Sequence, residues 1–470
     1  MIRRFTQPDF RRATRISCAL GVCLLWASVQ PIAMAQTLPS PAAVPGLPRV
    51  ELPVDVTRTL DATQRTVNDS VGEIRRVRID AVLRENHGRL ERNPHGDVIV
   101  RREVVAVSPT AQALERATAA GFSILRRRHI DALDLETVVL AAPDGASTAR
   151  ALQRLREIDP TGTYDFNHVY TGSGELRADA AMSADASTTV DSTSTVAPDR
   201  VGGDSVRLGL IDGGVDWQHP ALTRVPHDVW GCNGSTVASA HGTAVASLLA
   251  GEVNSGANAT PSVLLAADVY CGVTGAAAVE SIAAAFGWLA AQHAAVINVS
   301  LVGPPNRLLE QIVIRVIARG HVVVAAVGND GPSAPPLYPA AYAGVVGVTA
   351  VDARQRVLLE AGRGPQVDFA ARGSDLVAAT LHGDVVSVRG TSFASPLVAA
   401  RLVREIAQPD PFAAQSAIDR LAATAIDLGA RGPDPIYGIG LVTTLRQVAV
   451  DTSRIAPDTE ENAAVKRMTQ

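Results

Sequence analysis

The sequence predicts an α/β protein with a doubly wound, mostly parallel sheet, preceded by a small α+β domain. From Ser205 onward, apolar strand-like runs alternate with helical segments, for example residues 206–211 followed by 242–250. These runs are apolar at nearly every position, which is typical of parallel strands that are buried on both faces. Residues 101–170 instead have the order β-α-β-β-α-β, which is the ferredoxin-like motif.

The first 35 residues have the pattern of a secretory signal peptide. Arginines precede an apolar run from Ile16 to about Val29, and an Ala-Met-Ala cleavage site occupies residues 33–35. A membrane anchor is the alternative, but the run is short and Gln30-Pro31 interrupts it. We therefore expect an exported protein, periplasmic or extracellular, with no membrane contact once the signal is removed.

Changes of composition divide the rest of the chain. An amphipathic helix is predicted from Val56 to about Leu90, because apolar residues recur there at helical spacing. A stretch of Ala, Ser, Thr, Asp and Gly has little to bury and is predicted to be a disordered linker. The predicted segments are a signal peptide (1–35), a Pro-rich segment with the amphipathic helix (36–100), the ferredoxin-like domain (101–170), the linker (171–204), the doubly wound domain (205–450) and a polar tail (451–470).

Charge and cysteine content exclude several classes of function. The formal net charge of −4 over 470 residues gives no field that would attract nucleic acid or a membrane. Removal of the signal leaves Cys232 and Cys271, an even number in an oxidising compartment, so a disulfide is favoured over two free thiols. Two cysteines are too few for a Cys-only zinc site, and no metal site is predicted.

Four polar residues stand where predicted strands end or helices begin. Asp212 and Asn329 follow strands, and His241 and Ser392 open helices. Each residue alone is an ordinary cap or turn residue, and Ser392 would suit an N-cap. In an open α/β sheet, however, such positions meet at the carboxyl ends of the strands. Together they can supply a nucleophile, a base, an orienting carboxylate and a donor to an oxyanion.

Three motifs in this order resemble the subtilisin-like serine peptidases, the subtilase family. They are Asp212-Gly213-Gly214-Val215, His241-Gly242-Thr243-Ala244-Val245-Ala246 and Gly390-Thr391-Ser392-Phe393-Ala394-Ser395-Pro396, the last with Phe393 in place of a methionine. The resemblance implies an endopeptidase in which Ser392 attacks the peptide carbonyl, His241 transfers the proton and Asp212 orients His241. Asn329 and the Ser392 N–H would hold the oxyanion.

The resemblance also implies a cleft for polypeptide substrates, with two walls. The first wall is Ser300, Leu301, Val302 and Gly303, and the second is Ala326, Val327 and Gly328. The first wall would pair with the substrate as an added strand. Val302 replaces a glycine common at the rim, so we expect small or slender residues at P1, the substrate residue before the cleaved bond. Asp330 would instead favour basic P1 residues, which is the weaker alternative.

One further departure from the family motif and the lack of an acidic cluster bear on catalysis. Gly213 replaces a Thr or Ser whose hydroxyl would support Asp212, so weaker catalysis is expected. Calcium often accompanies the family, but no acidic cluster in this sequence requires it, and no cofactor is expected.

Subtilases commonly carry a ferredoxin-like propeptide that assists folding and inhibits the active site. Residues 101–170 resemble such a domain, so the chain would be a zymogen with its own N-terminal domain as an inhibitory partner. Tyr170 is a candidate for the self-cleavage position, and the fallback is a bond between Thr171 and Gly203. An aromatic P1 residue conflicts with the narrow pocket that Val302 predicts.

Two other functions fit these residues less well. A lipase or esterase on an α/β-hydrolase fold expects Gly-x-Ser-x-Gly and the order Ser, Asp, His, whereas Phe393-Ala394 follows Ser392 and the order differs. A non-catalytic binding protein on a subtilase scaffold, or one that stays inhibited by its own N-terminal domain, is the other hypothesis. The presence of Asp212, His241 and Asn329 beside Ser392 argues against a decayed site.

Overall fold

A computed structural model describes residues 73, 75–77, 79–177, 205–255, 262–271 and 275–443. These residues fall within one compact unit. The predicted signal peptide, Pro-rich segment and polar tail, and most of the predicted linker, lie outside the described residues. Within the described ranges, no helix is long and apolar enough to cross a membrane.

The continuous described part of the N-terminal helix, α1, covers residues 79–85. The prediction carried this helix to about Leu90, but the chain turns at residues 86–89. β1 (Leu90–Arg92) then pairs antiparallel with β2 (Val98–Val107). The helix end was misplaced because the apolar spacing continues into the strand, and spacing alone does not locate a boundary.

The N-terminal domain has the ferredoxin-like topology. Its antiparallel strands follow the spatial order β5-β2-β4-β3, and β5 continues two residues beyond the predicted domain end at residue 170. Thr110 and Ser147 cap the two helices, since each hydroxyl accepts a backbone N–H of the first turn. After β2 come α2 (Ala111–Ala119), β3 (Ser123–Ile130), β4 (Leu135–Ala141), α3 (Thr148–Ile158) and β5 (Thr163–Gly172).

The main domain is built on a seven-stranded, fully parallel sheet in the order β15-β14-β13-β11-β7-β9-β8. This confirms the doubly wound prediction. The remaining elements are β6 (Glu175–Arg177), β7 (Val206–Asp212), β8 (His227–Gly231), α4 (Ala240–Val253), β9 (Ser262–Asp268), β10 (Ala276–Ala278), α5 (Val279–Ala291), β11 (Val296–Val299), β12 (Leu301–Val302), α6 (Arg307–Ala318), β13 (Val322–Ala326), β14 (Val346–Val351), β15 (Phe369–Arg372), β16 (Leu376–Ala379), β17 (Val385–Arg389), α7 (Thr391–Leu402) and α8 (Pro411–Thr424).

Two apolar cores cover the faces of this sheet. α4, α7 and α8 pack in the first core, and α5 and α6 pack in the second. Side chains of the ferredoxin-like sheet, such as Val105 and Val139, also belong to the second core. The N-terminal domain therefore lies on α5 and α6, next to the carboxyl edge of the main sheet.

Two predicted segments differ from the structure. Thr171 and Gly172 belong to β5, and Glu175–Arg177 form β6, so the start of the predicted linker is ordered strand. The apolar run at residues 295–301 forms two strands, β11 and β12, with Ser300 between them. Both differences arise because neighbouring strands, which are distant in sequence, supply the pairing.

Candidate active site

Asp212 and His241 meet at the carboxyl edge of the main sheet. Asp212 is the last residue of β7 and is fully buried, and His241 is the second residue of α4. The Nδ1 atom of His241 lies 2.9 and 3.0 Å from the two carboxylate oxygens of Asp212. Since that carboxylate assigns the ring proton to Nδ1, Nε2 is left as an acceptor. Nε2 is buried and has no hydrogen-bond partner among the described residues.

The start of α4 is packed directly on the turn after Asp212. Ser239 is its N-cap, and the Ser239 hydroxyl accepts the Gly242 N–H at 3.0 Å. A Cβ on Gly242 would lie 2.2 Å from the Gly213 carbonyl oxygen, so only glycine permits this approach. The backbone contact sets the position of the His241 ring beside Asp212.

Ser392 is the second residue of α7 and is fully buried. Gly390 precedes the helix with φ of +136°, a conformation that favours glycine. The Ser392 hydroxyl donates to the Ser300 carbonyl at 3.0 Å. The Ser392 hydroxyl is not hydrogen-bonded to Nε2 of His241 in this structure.

A segment of the same chain runs through this edge as a middle strand. Residues 169–171 pair antiparallel with β10, and Thr171 and Gly172 pair antiparallel with β12. β6 then pairs antiparallel with β17, with Glu175 opposite Arg389. An added strand of this kind is how extended peptides bind a sheet edge.

Ser173, between these paired stretches, contacts Ser392. The Ser173 N–H donates to the Ser392 hydroxyl oxygen at 3.0 Å, and the two hydroxyl oxygens are 2.5 Å apart. Gly172 lies against the imidazole, since a Cβ there would be 3.1 Å from Nε2 of His241.

The Ser173 carbonyl oxygen and the Asn329 side-chain amide both lie beside Gly390. A Cβ added to Gly390 would lie 3.0 Å from that oxygen and 2.7 Å from Nδ2 of Asn329. The Oδ1 atom of Asn329 accepts the Thr391 N–H at 3.1 Å, so Nδ2 remains free to donate. The four predicted site residues and the Ser173–Gly174 peptide bond therefore meet in one place.

Residues 337 and 338 lie between the two predicted walls. Gly303 and Tyr338 exchange two backbone hydrogen bonds of 3.0 Å, which brings residue 337 to the first wall. Leu337 also reaches the second wall, because a Cβ on Gly328 would lie 2.5 Å from its Cδ1 atom. Leu337 therefore packs against the second wall, next to the residue that pairs with the first, and no sequence motif marks this position. Val302, the residue predicted to narrow the rim, is buried in β12.

Tyr170 lies away from Ser392. Its side chain is fully buried, and its hydroxyl donates to the Pro304 carbonyl at 2.6 Å. The ring packs on Gly303, where a Cβ would lie 2.5 Å from the ring. Burial raises the pKa of the phenol well above its ordinary value.

Polar contacts fasten the N-terminal part to the main domain near the cleft. A carboxylate oxygen of Asp165 accepts the Arg307 N–H at the start of α6, at 2.9 Å. Arg126 pairs with Glu103 at 2.6 Å and with Glu280 of α5 at 3.2 Å.

The Asp330 carboxylate is already engaged within the chain. It lies 2.8 Å from Nε of Arg75, so the residue expected to attract a basic P1 side chain is paired here with the N-terminal segment.

Cys232 and Cys271 form a disulfide with their Cα atoms 5.2 Å apart. Among the described residues, no group of three or more His, Cys, Asp or Glu side chains is arranged to hold a metal ion.

Comparisons with known proteins agree with this geometry. A model of the Subtilase family matches residues 203–440. Subtilisin DY of Bacillus licheniformis is 32% identical over 248 residues, covering 51% of this chain and 89% of its own length. Subtilisin of Bacillus pumilus is 31% identical over 252 residues, covering 51% and 90%.

A solved structure shows the same fold. Fervidolysin from Fervidobacterium pennivorans, described as a keratinolytic enzyme related to subtilisin, aligns with a TM-score of 0.57 at 17% identity. The alignment covers 75% of this chain and 61% of that one. With the family match and the two subtilisins, these findings place the chain in the subtilase family, and it is a serine-type endopeptidase.

Proposed function

We propose that this chain is an exported endopeptidase made as a self-inhibited precursor, and that it cuts itself between Ser173 and Gly174. The proposal rests mainly on the position of Ser173. Its N–H donates to the Ser392 hydroxyl oxygen at 3.0 Å, and its carbonyl oxygen lies beside Gly390, as does Nδ2 of Asn329. Tyr170, the sequence-based candidate, is buried in a separate pocket three residues earlier in the strand. A serine at P1 also agrees with the small-residue preference expected from Val302.

The proposed roles follow from the geometry. The Ser392 oxygen attacks the Ser173 carbonyl carbon, and its proton moves to Nε2 of His241. Asp212 stabilises the resulting imidazolium, and Nδ2 of Asn329 and the Ser392 N–H stabilise the oxyanion. Nε2 then protonates the Gly174 nitrogen as the peptide bond breaks, and water hydrolyses the Ser392 ester to release the new carboxylate.

Inhibition follows from the same contacts. Residues 169–172 fill the cleft between β10 and β12, where a polypeptide substrate would add as a strand. After cleavage, the buried Tyr170 ring and the contacts of Asp165 and Arg126 still hold the N-terminal part in place. The cleaved segment therefore acts as a bound product until it dissociates.

The competing function is a binding protein that stays inhibited on this scaffold. The observation in its favour is that the Ser392 hydroxyl bonds to Ser300 and not to His241. The proton transfer needed for attack requires that missing contact.

The mature N-terminus of the secreted protein tests the proposal. We expect N-terminal sequencing to read Gly174 in the wild type and residue 36 in Ser392→Ala, which would be exported but not cut. An N-terminus of Thr171 would instead support Tyr170, and one within residues 178–204 would place processing further along the predicted linker, which includes the Ser173–Gly174 bond. A wild type that keeps residue 36 and does not react with a serine-directed fluorophosphonate supports the binding protein.

A further inference from the structure

Asp268 is a buried carboxylate beside the site that the proposed mechanism does not use. It ends β9 directly opposite Asp212 in the parallel ladder, and only 5% of it is exposed. A carboxylate that is removed from water needs hydrogen-bond donors to offset its desolvation. The segments that contact the Asp268 carboxylate are therefore the ones whose positions it can fix.

Three separate segments surround the Asp268 carboxylate, and two of them donate a backbone N–H to it. One Asp268 oxygen accepts the Val237 N–H at 2.8 Å, and the other accepts the Tyr270 N–H at 3.1 Å. Gly214 packs against the same carboxylate, since a Cβ there would lie 3.0 Å from Oδ2 of Asp268. Hydrogen bonds to a charged acceptor are stronger than neutral ones, so the side chain ties two of these segments together and holds the third in contact.

Two of these segments carry Asp212 and His241. Gly214 is two residues after Asp212, and Val237 lies in the loop that leads into α4. The Ser239 N–H, next to the helix start, donates to the Gly214 carbonyl at 2.8 Å. The Asp268 carboxylate thus joins the turn after Asp212 to the loop before His241.

The third segment fills the space that Gly213 leaves. A Cβ on Gly213 would lie 2.5 Å from the Tyr270 ring and 2.4 Å from the Ser239 hydroxyl. The Tyr270 ring therefore occupies the place where a Thr or Ser side chain would project beside Asp212, and it excludes water there. Burial raises the pKa of both Asp268 and Tyr270, as expected for groups packed in this corner.

We infer that Asp268 is a positioning residue for the Asp212–His241 pair: its carboxylate holds the two segments that carry them in register and keeps Tyr270 over Gly213. The inference rests on the proposed function, since it concerns the efficiency of that same site. A shift of about 1 Å in such a pair is enough to lower catalysis about 100-fold.

Asp268→Asn tests this with little change of volume. The amide nitrogen would face a backbone donor, so at least one of the two hydrogen bonds is lost. In the self-processed enzyme we expect kcat per titrated active site to fall about 10- to 100-fold, with KM changed by less than about threefold. The acid limb of the kcat/KM profile should move to lower pH, because a negative charge beside the Asp212–His241 pair is removed.

Asp368→Asn is the matched control. Asp368 is a partly buried carboxylate that accepts the Gly347 N–H at 2.7 Å, at the amino end of β14 and far from the cleft. This substitution should lower the melting temperature and leave kcat per active site and the pH profile unchanged. If Asp268→Asn does not fold, Tyr270→Ala and Tyr270→Phe test the same corner, with loss of kcat in the first and retention in the second.

The inference is overturned if Asp268→Asn keeps kcat within about twofold, or if its plateau falls while the acid limb stays in place. For the Tyr270 pair, equal kcat values would overturn it. A failure of the proposed function is distinguishable, because the wild type and Ser392→Ala would then hydrolyse peptides equally poorly.

Discussion

Tyr170→Ala should release the N-terminal part from the processed enzyme. The side chain is fully buried, its ring packs on Gly303, and its hydroxyl bonds to Pro304 at 2.6 Å. Truncation of a buried aromatic residue to alanine costs about 3–5 kcal/mol. At about 1.4 kcal/mol per tenfold, this corresponds to a dissociation constant about 150- to 4,000-fold larger for the cleaved N-terminal part.

Tyr170→Phe is the matched control, because it keeps the ring and loses only the hydroxyl. The unpaired Pro304 carbonyl costs about 1–3 kcal/mol, which weakens binding about 5- to 150-fold. The dissociation constant should therefore be smallest for the wild type, larger for Tyr170→Phe and largest for Tyr170→Ala.

The assay follows peptide hydrolysis during dilution of self-processed enzyme, since dilution releases the bound inhibitor. The concentration at which half of the activity appears gives the dissociation constant. Melting temperatures of the same variants in a Ser392→Ala background establish that they fold. If Tyr170→Ala folds and its constant lies within about threefold of the wild type, the buried ring is not the anchor and the reasoning fails.

Three further changes probe the pocket, the domain contact and the disulfide. Leu337→Ala should open the pocket behind Ser173 and raise kcat/KM for leucine over serine at P1 at least about tenfold in a peptide library; an unchanged profile would mean that Leu337 does not line it. Burial lowers the pKa of His168, whose Nδ1 lies 2.8 Å from the Asn306 amide nitrogen, below its ordinary 6.5. Since Asn306 of the main domain supplies part of that burial, dissociation should raise the His168 pKa toward its ordinary value. The dissociation constant of the N-terminal part should therefore be independent of pH above 6.5 and rise by up to about tenfold per pH unit below it, and His168→Gln should show a flatter dependence. Cys232→Ser with Cys271→Ser removes a crosslink over 39 residues and should lower stability by about 4 kcal/mol, measured as a lower melting temperature in the Ser392→Ala background; a melting temperature equal to that of the parent would contradict this.

The main fold could be predicted from sequence because its signals are local. Buried parallel strands are apolar along their whole length, and the helix at residues 279–291 has the bounds that its pattern indicates. The candidate residues Asp212, His241 and Ser392 could be found because they stand next to such elements. The short strands β10 and β17 were missed, since their partners β5 and β6 are distant in sequence.

The cleavage position could not be predicted in the same way. Residues 167–170 resemble the end of a propeptide, which makes Tyr170 the candidate from sequence, whereas Ser173 has no motif of its own. Its role depends on the register of residues 169–172 between β10 and β12 and of β6 against β17. A shift of two residues in that register would present a different peptide bond to Ser392.

The sequence by itself determined the family, the order of the chemical groups and the two cysteines available for a disulfide. Tertiary structure alone decided that Ser173 contacts Ser392, that Leu337 packs against Gly328, and that Asp268 and Tyr270 lie beside the turn after Asp212. The physical reason is that motifs record the groups that must touch the reacting atoms. The contacts that position those groups come from burial and pairing between segments that are distant in the chain, and these leave no pattern in the sequence.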